Sequence, residues 1–379
     1  MKGHCFVNGV EKHVKCAYVG VNGKAQYIKR PRGVIRIGSA IAKLSTTRYN
    51  LAAGEGVDYA LFGGGNGPEG VSSTVDAYSR SDFIRKTAAN LSEAREALVA
   101  PGWRNEYVLF CGGVNKNYSR TATVDAYDRD LTRKTATSLS EAKSYLATAP
   151  SMGYGGALFA GGIIDADPGV SSTVDNYDSN LTRTTVANLS VGRAGLAATI
   201  TGGFVLFGGG NGPRGISSTI DVYDYSLTRM TTANLSVGRY YLAGAGSTKT
   251  NFEACALFAG GIIDADPGVS STVDAYDYNL TRRTVANLSE NKSRLAAAYL
   301  MEEQLLFAGG KTGQDNGVSS TVDVYDTMSL TKTTANDLSE ARYGLAATMI
   351  GYALLFGGGL GSDYSSAVDA YEYNFEPDD

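Results

Sequence analysis

Residues 193–210 read RAGLAATITGGFVLFGGG, a cation followed by two short apolar runs, the second of which ends in glycines. The motif Leu-Phe-x-Gly-Gly inside this stretch occurs seven times, beginning at Leu61, Leu109, Leu158, Leu206, Leu257, Leu306 and Leu355. Successive copies are 48, 49, 48, 51, 49 and 49 residues apart, and a period of this size indicates one supersecondary unit per repeat. The sequence therefore predicts seven propeller blades or seven turns of a solenoid.

The residue pattern of each repeat predicts four short strands. After Leu-Ser-x-x-Arg comes a run of small apolar residues, then the run that ends in the glycine pair, then a segment such as STVDAY (73–78) and one such as LTRTTVANL (181–189). Every segment is rich in β-formers and bounded by Gly, Asn, Asp or Ser, and none shows a helical period. This pattern favours a four-stranded antiparallel blade, and hence a propeller.

The repeat resembles the kelch repeat. The resemblance rests on the glycine pair that ends the second strand, the Tyr that ends the third in segments such as VDAYD (124–128), and the Arg that opens the first. It covers about residues 33–379 and implies an all-β, seven-bladed kelch-like β-propeller. The Trp that the family carries in the outer strand is missing here, since the only Trp is Trp103, and this puts blade geometry rather than blade number in doubt.

The two ends of the chain predict how the propeller closes. The last repeat stops at Asp379 before an outer strand, whereas GVIRIGSAIAKLS (33–45) lies where an outer strand belongs. Pairing the two would leave no open sheet edge. We therefore expect a propeller over 33–379, closed by a strand at 33–45, and a basic β-hairpin attachment module over 1–32.

The composition limits the classes to which the protein can belong. With 43% hydrophobic and 19% charged residues and no apolar run long enough for a bilayer, we expect a globular protein with no membrane insertion. No signal peptide is recognisable, and the four cysteines do not form a disulfide framework, which predicts a cytoplasmic, reducing environment. Residues 1–43 hold nine Lys or Arg against Glu11 alone, yet interleaved apolar residues make nucleic-acid binding the less favoured interpretation.

Aligned repeats place a cation at one position and an acid at another. The cations are Arg48, Arg95, Lys143, Arg193, Arg239, Lys292 and Arg342, and the acids are Asp76, Asp125, Asp175, Asp221, Asp274, Asp323 and Asp369. One interpretation is a charged ring that grips an anionic ligand. We favour a structural ring in which each cation pairs with a nearby Asp, because buried charges persist mainly when paired.

The connections between second and third strands vary most from repeat to repeat, which predicts that recognition lies on the face that carries them. Two of these loops contain Asp-Ala-Asp-Pro-Gly, which is typical of a solvated turn and, as an alternative, of the start of a Ca²⁺ loop. The predicted ligand-binding residues of this loop face are Asp165, Asp167, Arg214, Asp264, Asp266 and Asp315.

No residue is predicted to be catalytic, and no metal or cofactor is expected. The only histidines, His4 and His13, would face each other across a hairpin with Cys5 on its other side, which argues against a zinc site. Copper oxidases resembling galactose oxidase use His ligands that residues 14–379 lack. No G-x-S-x-G, phosphate loop or sialidase-type Asp box occurs, although hydrolysis by two carboxylates stays open.

The duplicated VNG hairpins near the N-terminus (7–9 and 21–23) resemble short repeats of phage and prophage tail or appendage proteins. This resemblance implies a non-enzymatic binding propeller on a phage or phage-like particle, anchored to other particle proteins through residues 1–32. Its loop face would recognise a cell-surface glycan or protein after synthesis in the cytoplasm of the producing cell. The alternatives are an intracellular kelch adaptor for protein partners and, third, a carbohydrate-active enzyme.

Overall fold

The computed structural model describes residues 2–7, 10–15, 19–21, 24–26, 33–37, 41–101, 106–151, 156–247, 255–266, 268–300, 304–313 and 317–374. Every regular element in these ranges is a β-strand, and they contain no helix that could cross a membrane. The strands form seven antiparallel blades, which we number 1 to 7 in chain order. The predicted all-β, seven-bladed propeller is confirmed.

Each blade uses its strands in the order inner, second, third and outer. The inner strands are Ala52–Glu55, Ala147–Ser151, Ala197–Thr201, Ala243–Gly246, Ala296–Leu300 and Ala346–Ile350, while blade 2 has only a bridge between Val99 and Cys111. The second strands are Tyr59–Gly63, Val108–Cys111, Gly156–Ala160, Phe204–Gly208, Cys255–Ala259, Gln304–Ala308 and Ala353–Gly357. Inner strands of neighbouring blades contact each other, and blade 7 contacts blade 1, so the ring is closed.

The third strands are Val75–Ser79, Val124–Tyr127, Val174–Tyr177, Ile220–Tyr223, Val273–Asp277, Val322–Asp326 and Val368–Asn374. The outer strands of blades 1 to 6 are Arg85–Thr87, Arg133–Thr135, Arg183–Thr185, Arg229–Thr231, Arg282–Thr284 and Lys332–Thr334. These outer strands are short and exposed, and their Thr-rich sequences suit a pleated surface that faces water on one side.

Blade 7 takes its outer strand from the start of the propeller sequence. Gly33–Arg36 pairs antiparallel with Val368–Asn374, with Arg36 opposite Tyr371 and Val34 opposite Tyr373. Beyond the strand, the amide of Ile37 donates to the carbonyl of Ala370 over 2.8 Å. The strand is therefore shorter than the segment 33–45 expected from the sequence.

Before the propeller lie two small hairpins, Lys2–Val7 with Val10–Lys15 and Val19–Val21 with Lys24–Gln26. In the first, His4 is opposite His13 and Val7 is opposite Val10, which is the register expected for a two-residue turn. The side chains of residues 1–32, including those of the zinc alternative, lie outside the described part of the structure.

The glycine pair lets neighbouring blades approach closely at the end of each second strand. Gly209 and Gly210 have φ of 68° and 101°, in the left-handed region. A Cβ atom on Gly209 would lie 2.4 Å from the carbonyl oxygen of Arg239 in the next blade. Gly210 donates its amide to that same carbonyl over 2.8 Å. The motif is therefore needed both for the turn and for the contact between blades.

Aromatic pairs contribute to the packing between neighbouring blades. In every blade a Phe of the second strand meets the Tyr of the third strand edge to face, as Phe207 and Tyr223 do at 5.8 Å between ring centroids. The hydroxyl of Tyr223 then donates over 2.8 Å to the carbonyl of Ala187, in the segment after the outer strand of blade 3. Such pairs contribute about 0.5–1.5 kcal/mol beyond the burial of apolar area.

Candidate ligand-binding site at the propeller axis

The charged positions form seven buried ion pairs. Each cation lies 2.5–3.3 Å from the Asp of its own repeat, and the side chains of all seven cations are fully buried. Burial lowers the pKa of Lys143, and the neighbouring Asp175 carboxylate opposes that shift. The pairs are Arg48–Asp76, Arg95–Asp125, Lys143–Asp175, Arg193–Asp221, Arg239–Asp274, Lys292–Asp323 and Arg342–Asp369.

Each of these Asp residues also meets a second cation, which comes from the outer strand. In blade 4, Arg193 Nη1 lies 2.8 Å from Asp221 Oδ2 and Arg229 Nη1 lies 3.2 Å from Oδ1. The Asp221 carboxylate also accepts a hydrogen bond from the Ser190 amide over 3.0 Å. The arrangement ties the third strand to the segments that enter and leave the blade, which supports the structural interpretation of the charged positions.

The residues predicted on the loop face are distributed over separate blades. Asp165 and Asp167 are exposed on blade 3, Arg214 on blade 4, and Asp264 and Asp266 on blade 5. Asp165 forms an ion pair with Arg120 of blade 2. No three acids within the described ranges come together as metal ligands, so the calcium alternative gains no support. Asp315 lies outside the described residues.

A different set of residues meets at the axis, and the sequence analysis did not single it out. These seven residues, here called the mouth ring, follow the repeated cation by two positions and have φ between 50° and 63°. The amide of each donates over 2.7–3.1 Å to the carbonyl of its counterpart in the preceding blade, and the amide of Asn50 donates to Gly344, which closes the circle. The mouth ring consists of Asn50, Ala97, Tyr145, Gly195, Tyr241, Arg294 and Gly344.

A cavity of about 270 Å³ lies at the mouth ring. We call it the axial cavity. Its walls include the side chains of Asn50, Tyr145, Tyr241 and Arg294, over an apolar base of seven leucines that are nearly fully buried. The leucines are Leu51, Leu98, Leu146, Leu196, Leu242, Leu295 and Leu345.

The axial cavity lies on the face that carries the variable loops. The chain segments that lead into the inner strands pair there with the second-to-third connections, for example Tyr49 with Asn66 and Tyr343 with Leu360. The loop face predicted from the sequence and the axial cavity thus share one side of the propeller. The loop residues, however, do not line the cavity.

Three side chains form a stacked arc along one side of the axial cavity. The Arg294 guanidinium lies over the ring of Tyr241, 4.4 Å from its centroid, and Tyr241 meets Tyr145 edge to face at 5.6 Å. Gly195 lies between the two tyrosines in the mouth ring, and a Cβ there would come within 3.3 Å of the Tyr241 ring. The missing side chain in blade 4 therefore lets the ring of Tyr241 reach towards blade 3.

The electrostatics of the arc favour an anion. Within the described residues, Arg294 has no ion pair and its guanidinium donates no hydrogen bond. Burial raises the pKa of Tyr145 to about 12, and burial also raises the pKa of Tyr241. Both phenols are therefore neutral hydrogen-bond donors near neutral pH.

The wall of the cavity also carries an amide that is held in place. Asn50 Nδ2 donates to Glu96 Oε2 over 3.1 Å, and Asn66 Nδ2 donates to Glu96 Oε1 over 3.3 Å. Both oxygens of the Glu96 carboxylate are thus occupied by amides, and the Asn50 side chain is oriented by the contact. The cavity thus carries a cation, Arg294, and an oriented amide, Asn50, separated in the mouth ring by Gly344.

Two solved structures share this architecture. A fungal alcohol oxidase of the AA5 family, in complex with copper, is 14% identical, with a TM-score of 0.65 and coverage of 88% of this chain and 75% of that chain. YjhT is 12% identical, with a TM-score of 0.54 and coverage of 88% and 96%. No protein-family model and no curated protein matches the sequence. The likenesses establish a β-propeller of a type that also occurs in an enzyme.

This comparison corrects the predicted function. The interpretation as a non-enzymatic binding protein on a phage or phage-like particle is wrong: the similar folds are an alcohol oxidase and YjhT, and neither points to a phage particle. The interpretation depended on two VNG turns, and Asn-Gly between short strands is a general hairpin signal rather than a functional one. The predicted partners and localisation remain untested predictions.

The similar oxidase contains copper, and whether this chain could hold copper depends on its side-chain donor atoms. Imidazole and thiolate are ligands that copper prefers, and residues 14–379 contain no histidine. Cys111 and Cys255 are buried in blades 2 and 5, and burial raises the pKa of both thiols, that of Cys255 to about 12. Across the described part of the chain no three His, Cys, Asp or Glu residues form a metal cluster. The described residues of the propeller therefore do not fit a copper centre.

Proposed function

We propose that the protein binds a small organic anion in the axial cavity. The observation that carries this proposal is Arg294, a cation without a carboxylate partner among the described residues, which stacks on Tyr241 in the wall of the cavity. A stacked guanidinium presents its edge for bidentate hydrogen bonds with a carboxylate or phosphate. We also propose that the repeats are kelch repeats, because all seven carry the glycine pair and the third-strand Tyr.

Backbone strain supports a functional role for this arc. Tyr145, Tyr241 and Arg294 hold φ of 51°, 50° and 52°, a region that costs a non-glycine residue about 1–3 kcal/mol. Glycine would remove that cost, and the chain does use glycine at the equivalent positions 195 and 344. Large side chains at three strained positions around one cavity are therefore a reason to expect that a ligand uses them.

The size and chemistry of the cavity limit the kinds of ligand that it can hold. A volume of about 270 Å³ is just below the usual range for ligand pockets, which suits a single-ring compound or a short-chain acid. The leucine base favours an apolar or planar body, while Arg294, the phenols and the Asn50 amide favour an acidic group. The cavity therefore suits a small, partly apolar acid.

The phenols and the carboxylate near the cavity are suited to holding an anion and not to acting as a general base. A general base should have a pKa near the working pH, and the phenols of Tyr145 and Tyr241 have pKa values raised above that of free tyrosine. The nearby carboxylate, Glu96, already accepts hydrogen bonds from Asn50 and Asn66. These features are typical of a site that holds a ligand in place.

The proposal is tested by ligand-observed NMR with a panel of small carboxylates and phosphates. We expect Arg294→Gln to lower the affinity for the best panel member at least tenfold, because the charge-assisted hydrogen bonds are lost. The matched control is Arg214→Gln, an exposed cation on the same face that does not line the cavity. Binding by Arg294→Gln as tight as that of the parent, or no binding to any panel member, would contradict the proposal.

A further inference from the structure

We infer that the ligand carries two acidic groups separated by a ring, and that the second acidic group lies against Lys311. This inference rests on the proposed function, since it assigns the first acidic group to Arg294. Both cations come from blade 6. Lys292–Ser293 pairs with Lys311–Thr312, and Ser293 is directly opposite Lys311, so Arg294 follows the residue that faces Lys311.

Each of the two cations lies over a tyrosine of an adjacent blade. Arg294 stacks on Tyr241 of blade 5 at 4.4 Å, and Lys311 Nζ lies 5.8 Å from the ring centroid of Tyr343 of blade 7. Like Arg294, Lys311 has no ion pair within the described ranges. Neither cation has an acidic partner among the described residues, and a ligand with two acidic groups would neutralise both charges.

Beyond Lys311, three tyrosines form a half-buried cluster. Tyr49 lies 6.3 Å from Tyr343 and 5.8 Å from Tyr364 between ring centroids. Among the described residues, the hydroxyls of these three tyrosines have no hydrogen-bond partner. Aromatic faces with free donors suit the polar edge of a ring compound.

Gly344 joins this tyrosine cluster to the axial cavity. It lies in the mouth ring between Arg294 and Asn50 and lines the cavity, and it carries no side chain there. A Cβ at this position would lie 3.1 Å from Asn50 Oδ1 and 3.3 Å from the Tyr49 ring. A ligand bound at Arg294 can therefore extend over blade 7 towards Lys311, which it could not do over a large side chain.

The placement of Glu96 favours one direction in which the ligand extends from Arg294. Glu96 lies in blade 2, beyond Asn50 from the two cations, and its carboxylate would repel an acidic group there. An elongated acid with two charged ends is thus directed towards blades 6 and 7 rather than across the cavity. A ligand with a single acidic group would leave Lys311 unused.

The test compares two probes, benzoate and benzene-1,3-dicarboxylate, by isothermal titration calorimetry at low salt. We expect the dicarboxylate to bind at least tenfold more tightly than benzoate to the parent protein. Lys311→Ala should remove that gain and leave the benzoate affinity within about twofold, since benzoate needs only Arg294. Lys116→Ala, an exposed lysine in the corresponding loop of blade 2, is the matched control and should change neither affinity.

Two outcomes separate this inference from the proposed function. If the two probes bind with equal affinity and Arg294→Gln weakens both, the proposal of a second acidic group is overturned and the proposal of an anion site at Arg294 is retained. No binding of either probe up to about 10 mM, or binding unaffected by Arg294→Gln, would overturn both. A dicarboxylate preference that Lys311→Ala leaves intact would assign the second acidic group elsewhere and overturn the role of Lys311.

Discussion

Arg36 Nη1 lies 3.4 Å from Asp369 Oδ1, so the strand that opens the propeller supplies blade 7 with the outer cation that the other six blades take from their own outer strands. The buried cation of that blade, Arg342, lies 2.8 Å from the other oxygen of Asp369. The closing strand therefore reproduces the charge pattern of a complete blade as well as its hydrogen bonds. Closure is specified by side chains as well as by backbone pairing.

The first prediction concerns this closing strand. Deletion of residues 1–45 should expose the edge of Val368–Asn374 and give a protein that aggregates, because unpaired edges associate with other chains. Deletion of residues 1–32, which retains Gly33–Arg36, should remain monomeric with a melting temperature close to that of the parent. Size-exclusion chromatography with light scattering distinguishes the two. A monomeric, cooperatively folding product of the longer deletion would show that the strand is dispensable.

The second prediction concerns the buried ion pairs. Arg193→Ala leaves the buried Asp221 carboxylate without its closest cation and should lower the free energy of unfolding by about 3–5 kcal/mol. Arg229→Ala removes the half-exposed partner of the same carboxylate and should cost about 1 kcal/mol or less. Urea denaturation measures both. If Arg193→Ala unfolds like the parent yet loses its ligand, the charged positions form a binding site instead.

The third prediction concerns the hydroxyls that link the blades. Tyr223→Phe removes the hydrogen bond to the Ala187 carbonyl and should cost about 0.5–1.5 kcal/mol. Tyr127 is the matched control, because its buried hydroxyl has no partner among the described residues. Tyr127→Phe should therefore be neutral or slightly stabilising by thermal denaturation. Equal losses in the two variants would mean that the hydroxyl bond contributes nothing specific.

The fourth prediction concerns alkaline pH. Burial raises the pKa of Tyr145 to about 12 and raises the pKa of the third-strand tyrosines as well, while the phenols of the unfolded chain ionise near pH 10. Above about pH 10 the unfolded state binds fewer protons than the folded state, so the free energy of unfolding falls as pH rises. The stabilisation is fully present below about pH 10.

Urea midpoints from about pH 8 to about pH 11, recorded with tyrosinate absorbance, test this. We expect ionisation of the buried phenols to coincide with unfolding. Tyrosines that all ionise near pH 10 in the folded protein would contradict the burial argument.

The architecture could be predicted from the sequence because the features that define it are local and repeated. The glycine pairs are required by positive φ and by close contact with the next blade, so their spacing counts the blades. The strand at 33–36 could be placed because a closed propeller leaves no edge. Its end at Arg36 could not, since apolar residues continue beyond that point in the sequence of 33–45.

The axial site could not be predicted in the same way. Its residues have no shared chemistry, and three of them, Tyr145, Arg294 and Ala97, do not favour the left-handed backbone that they adopt. A signal was present: within a uniform repeat, the second of the two positions between the repeated cation and the repeated Leu varies from Gly to Arg. The ligand-binding residues were predicted in the second-to-third connections instead, because these loops vary most from repeat to repeat. Only the three-dimensional ring shows that the variable positions of seven separate repeats meet at one cavity.

The closed circle of hydrogen bonds at the mouth ring has an electrical consequence. Its seven N–H···O=C hydrogen bonds run head to tail around the axis, so the components of their dipoles perpendicular to the axis largely cancel, unlike the aligned dipoles of a helix. Each of these seven amides is also already paired, so the ring offers no free N–H donor to an anion. Charge selectivity at the axis is thus left to side chains, and exchanging Arg294 for an acidic residue should reverse it without altering the frame.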